Sequence, residues 1–165
     1  MSNSEMNPEH DLERILQRSN DLHNTIIDYL TDATFDDSLH VEACLAMCSL
    51  SLEHAAAVRT LIETGHPTSA AAMSRLQFEA TTRAMWILYV EDEQAIGLLT
   101  APLTKESEKA AKKLPSTSEM IDQIGRSVGT GTPAAAHEML VHYKKALLPA
   151  LHSFVHGAFI HFAGT

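Results

Sequence analysis

A chain of 165 residues with a net charge of −9, histidines counted as neutral, has the length of one domain. Its acidic surface excludes broad, nonspecific binding to nucleic acid. Hydrophobic residues make up 45% of the chain but aromatics only 5%, so the core must come from Leu, Ile, Met, Val and Ala, which favour helices over sheets.

No apolar run in the sequence reaches the ~18 residues that a membrane span needs. Met1 to His10 lacks the basic and apolar parts of a signal peptide. A cytoplasmic protein with no membrane association is therefore expected.

Residues 1–7 are expected as a disordered lead, and 8–165 as one helical domain. Asn7 and Pro8 offer an N-cap followed by proline at the first helical position. Leu12, Ile15, Leu16, Leu22, Ile26 and Leu30 then recur at helical spacing, predicting helix one over Pro8–Leu30. Thr31–Asp37 is a polar link. Helix two is predicted over Ser38–Thr64, stopped by Gly65-His66-Pro67. Helix three follows over Thr68–Val90, capped by Thr68 or Ser69. Two long helices joined by so short a turn must lie antiparallel. The fold class that follows is all-α, a helical bundle built on this hairpin.

The next stretch is less regular. Glu91–Leu99 and Lys105–Leu114 read as short helices, and Ser116-Thr117-Ser118-Glu119 is a capping box that opens another. Gly125–Thr132 carries three glycines, with Val128 as its one bulky anchor, and is expected as a mobile loop. Pro133 opens a helix through Leu148, and Pro149 kinks it or begins a new one. Leu151, Phe154, Val155, Ala158, Phe159 and Phe162 make the last segment strongly apolar. Its running to Thr165 suggests a longer natural product.

Helix three carries the polar pattern of most interest. Met73, Leu76, Ala80, Ala84 and Ile87 form an expected core stripe. Beside it Arg75, Glu79, Arg83 and Trp86 fall within an arc of about 80°. Glu79 is thus bracketed one turn away on each side by an arginine. Such a strip serves as a solvated pair of ion pairs, as a buried network holding the bundle in register, or as a cleft in which two arginines bind phosphate or carboxylate while the glutamate orients them. From the last segment, His152, Ser153 and His156 are the candidates to meet that strip, with Gly157 allowing close approach of another backbone. His156 would then supply acid–base chemistry to an arginine-lined pocket.

Other chemistries lack their signatures. His152 and His156 have a chelating spacing, but two ligands are too few for a tetrahedral metal site, so neither metal nor cofactor is expected. No Gly-Lys-Ser or Gly-Lys-Thr follows the glycines. Cys44 and Cys48 lie one helical turn apart, a poor geometry for a disulfide. With no helix N-terminus or basic neighbour to acidify a thiol, they read as small core hydrophobes of a reducing compartment.

The run Ser74-Arg75-Leu76-Gln77-Phe78-Glu79-Ala80, with Arg83 and Trp86 after it, and the later Ser153-Phe154-Val155-His156-Gly157, resemble an uncharacterised bacterial family of helical proteins related to the HEPN superfamily. The resemblance spans roughly half the chain. It implies a small all-α bundle that forms homodimers and, in HEPN members with toxin or phage-defence roles, a metal-independent endoribonuclease. Their signature sets an arginine four to six residues before a histidine. His156 takes the histidine's place, but His152, Leu151 and Ala150 stand where the arginine would, and Arg75 or Arg83 would have to supply the cation. Two functions are therefore expected as alternatives: a noncatalytic binding or regulatory module, homodimeric, with an Arg/Glu/His cleft for a small anion, or an RNA-cleaving enzyme using His156.

Overall fold

A computed structural model describes residues 8–90, 92–146 and 149. Among these the secondary structure is helical throughout, in seven α-helices with no strand, which establishes the all-α class. They fall into two compact units, one within Met1–Phe35 and one within Asp36–Thr165.

The first unit holds α1, Pro8–Asp32, two residues longer at its C-terminal end than its apolar spacing predicts. Its surface is stitched by local pairs: the Arg14 guanidinium donates to Asp11 at 2.8 Å, and the Gln17 amide to Asp21 at 2.7 Å. Leu12, Ile15, Leu22, Ile27 and Tyr29 are exposed.

The second unit begins with α2, Leu39–Glu63, and α3, Pro67–Val90. Ser38 caps α2 by accepting a hydrogen bond from the Val41 amide. The stop between the helices is as predicted, with Gly65 in the left-handed region at φ 77°. Pro67, expected as part of that stop, is instead the first residue of α3, where its missing N–H costs nothing.

Contacts across the hairpin climb α2 as they descend α3. His40 Nε2 donates to the Ile87 carbonyl at 2.7 Å, the Cys44 thiol lies 3.6 Å from the Ala84 carbonyl, and Ser51 meets Thr81 at 2.7 Å. The two helices are therefore antiparallel. Because the Thr81 hydroxyl gives its one proton to the Gln77 carbonyl, it is Ser51 that donates to Thr81.

By its length and composition α2 is apolar enough to cross a membrane, with a mean hydropathy of 1.3 over its best window. A search for unbroken apolar runs passes over it, because Ala, Cys, Leu and Val raise the average although Ser, His and Glu interrupt them. One such helix is weak evidence, since core helices of soluble proteins meet the same measure.

Four shorter helices complete the described part. They are α4, Glu93–Leu99, capped by Asp92; α5, Lys105–Ala111; α6, Thr117–Arg126; and α7, Ala134–Ala146. The capping box at Ser116 and Glu119 forms as read from sequence, and the hydrogen bonds from Ser116 hold the Glu119 carboxyl below the usual carboxylate range. Gly125, expected in a loop, lies inside α6, and the turn after it closes through an isolated bridge between Val128 and Thr132. There Thr132 is buried, while Val128, the expected anchor, is exposed.

The core unites α2, α3, α4, α6 and α7 around Trp86, Ile87, Met120, Ile121, Ile124 and Leu140. Helix α3 runs through its middle, and one expected stripe becomes two buried faces. Ala80, Ala84 and Ile87 are buried as expected, but Leu76 is 44% exposed, and Phe78, Thr82 and Trp86 are buried on the roughly opposite side. A helix sandwiched between neighbours buries two faces, and a single-stripe reading finds only one of them.

Candidate functional site

The two buried faces of α3 have different neighbours. Toward α2 lie the contacts of Thr81, Ala84 and Ile87 given above. Toward α6 and α7, the Trp86 indole donates to Gln123, and the Phe78 ring stacks on Tyr143 with centroids 4.5 Å apart at 14°. Arg75, Glu79 and Arg83 occupy the arc between these faces. They are neither in the core nor on a fully solvated side.

Trp86 does not join them. The sequence places it in the same arc, but only 1% of its surface is exposed. A large apolar ring one turn from the end of a sandwiched helix is drawn into the nearer core face, and Gln123 satisfies its indole N–H.

The arginines also part company. Arg75 Nε donates to Glu79 Oε1 at 3.0 Å, with about a third of each side chain exposed (33% and 30%). An ion pair of this kind between helix neighbours contributes only about 0.3–0.5 kcal/mol. Arg83, one turn further on, forms no ion pair with Glu79 among the described residues. Its Nε is buried and has no hydrogen-bond partner there. A buried donor left unmade costs roughly 1–3 kcal/mol, more than the neighbouring pair returns. An acceptor placed at Arg83 would remove that cost, and a guanidinium offers phosphate or carboxylate two parallel donors.

His152, Ser153 and His156, the expected partners of the strip, lie outside the described residues. Among the described residues no group of three or more His, Cys, Asp or Glu side chains is arranged to hold a metal ion.

Two features escaped the sequence reading. A cavity of about 190 Å³ is lined by Gln77, Phe78, Thr81, Met139, Leu140 and Tyr143, none of them a charged residue of the strip. Burial raises the Tyr143 hydroxyl pKa above its ordinary value, and that hydroxyl donates to the Ser74 carbonyl at 3.3 Å. The aromatic pair was invisible because its members are 65 positions apart in different helices. The second feature is the thiol pair. The hydrogen bond from Cys44 pulls the Cys48 thiol down to about 7, and the same coupling, with burial, pushes Cys44 up. The sequence reading placed the two one turn apart but looked for a basic neighbour, not for a second thiol, as the group that shifts a pKa.

A family model matches residues 48–161, that of a family of unknown function, DUF6988. Neither a curated protein nor a solved structure matches the chain.

Proposed function

The chain belongs to DUF6988, a family of unknown function, and we propose that it is a noncatalytic helical binding or regulatory module that takes a small phosphate- or carboxylate-bearing ligand at the Arg75/Glu79/Arg83 edge of α3. The observation that carries this reading is the buried Arg83 Nε with no partner among the described residues, one turn from the Arg75–Glu79 pair. Glu79 holds Arg75 in place, and Arg83 supplies unspent donors beside it. Both cations sit at the partly buried edge of α3, so a ligand there is partly desolvated and its charge is screened less than at an open surface.

In this reading the protein works as a homodimer in the cytoplasm. Support for self-association comes from Ile15, Leu22 and Tyr29, which recur every seven residues along α1 and are exposed. Sedimentation of the full chain at tens of micromolar tests it, and a strict monomer removes the dimer from the proposal.

Binding is tested by thermal unfolding in rising pyrophosphate at constant ionic strength. The wild-type chain gains stability in proportion to occupancy, whereas Arg83→Gln, folded by circular dichroism, gains none. Equal stabilisation of the two, or none in either, removes the anion site.

A further inference from the structure

Cys44 and Cys48 are the only cysteines in the chain. They sit one turn apart on α2, both half-buried and both free. Cys44 is held against α3, its sulfur 3.6 Å from the Ala84 carbonyl and its side chain packed on the core cluster. Cys48 follows four residues later, which puts both sulfurs on one side of the helix.

The spacing decides what such a pair can do. Residues four apart in a helix have Cβ atoms about 5–6 Å apart, whereas a disulfide needs roughly 3.5–4.5 Å. Direct oxidation to a disulfide would therefore break α2. A single atom inserted between the sulfurs lengthens the bridge and leaves the helix whole. Such an atom must be soft, since thiolates select soft centres, and it must be content with two protein ligands, since no third is arranged among the described residues.

We infer that Cys44 and Cys48 form a two-sulfur clamp for a soft thiophilic centre, of which trivalent arsenic is the defining example. In the reaction with an organoarsenic oxide two As–S bonds form and the As=O bond breaks. The oxygen leaves as water with both thiol protons, and nothing is oxidised or reduced. Cys48 attacks first, because its pKa is the lower of the two. Cys44 then closes the ring as its own proton leaves. This site is independent of the arginine edge of α3 and stands or falls without it.

The test uses the full chain and phenylarsine oxide. Wild-type protein takes up one phenylarsenic group per chain by intact mass, loses both titratable thiols and keeps its helical circular dichroism. The adduct survives a large excess of a monothiol and is stripped by 2,3-dimercaptopropanol. Cys44→Ala and Cys48→Ala each lose the monothiol-resistant adduct, while the remaining cysteine still reacts with N-ethylmaleimide. A wild-type adduct that a monothiol removes overturns the clamp, and so does a resistant adduct in either single variant. The wild-type comparison decides the matter even if a variant fails to fold.

Discussion

The Trp86 indole N–H donates to the side-chain oxygen of Gln123 at 2.5 Å, joining two helices across 37 positions of sequence. The bond fixes the depth at which α6 sits against α3. Trp86→Phe keeps an aromatic ring in the core and leaves Gln123 without that donor. A loss of about 1–3 kcal/mol follows for a part-buried acceptor, read from denaturant unfolding by far-ultraviolet circular dichroism. A cost within experimental error of zero would show that the bond is incidental.

Arg83→Met separates function from stability. In anion-free buffer the methionine removes a buried unpaired donor while keeping most of the side-chain length, so stability rises, by up to about 1–3 kcal/mol. The same variant loses all stabilisation by pyrophosphate. An arginine that served the fold alone would give the reverse, a less stable protein. Glu79→Gln, by contrast, costs only about 0.3–0.5 kcal/mol, because its pair with Arg75 is partly exposed.

How much of this could be read from the chain differs from element to element. The hairpin was legible because Gly65 and Pro67 act locally, one by its backbone freedom and the other by its fixed φ, and Ser116 with Glu119 announced α6 for the same reason. The faces of α3 were not legible. Angular spacing groups Trp86 with Arg75, Glu79 and Arg83, and only the presence of α6 on that side sends the indole inward while the guanidiniums stay at the edge. Helix α2 gave little directional signal, since Ala, Cys, Leu and Met ring most of its circumference. The ribonuclease alternative turned on His156, which lies outside the described residues.

Gly125 packs against the His137 ring. A Cβ at this position would stand 2.7 Å from His137 Nε2, too close to stay. Alanine is worth up to ~1 kcal/mol more than glycine inside a helix, and the ring tip is the movable part of the contact. Gly125→Ala alone is therefore nearly neutral, with His137 displaced. Gly125→Ala with His137→Ala recovers roughly 0.5–1 kcal/mol of helix propensity. Additive behaviour of the two substitutions in urea unfolding would contradict the contact.

The cysteines give the clearest pH dependence. The Cys44 hydrogen bond lowers the Cys48 pKa to about 7, so the reactive thiolate is half-formed near neutrality and its fraction rises with pH. Alkylation of Cys48 by iodoacetamide should reach half its limiting rate near pH 7, well before Cys44 reacts. Cys44→Ala removes the donor and moves the midpoint upward toward the ordinary thiol value, whereas Cys44→Ser keeps a donor and leaves it low. A midpoint unchanged in the alanine variant would mean that some other group acidifies Cys48.

The anion site is tested most directly at the atom that motivates it. In a nitrogen–proton correlation spectrum the Arg83 Nε–H resonance should shift and saturate as inorganic phosphate is added at constant ionic strength, with Arg75 following and Arg14, paired with Asp11 on α1, staying still. An Arg83 resonance that does not move, or arginine resonances that all drift together without saturating, would contradict the site.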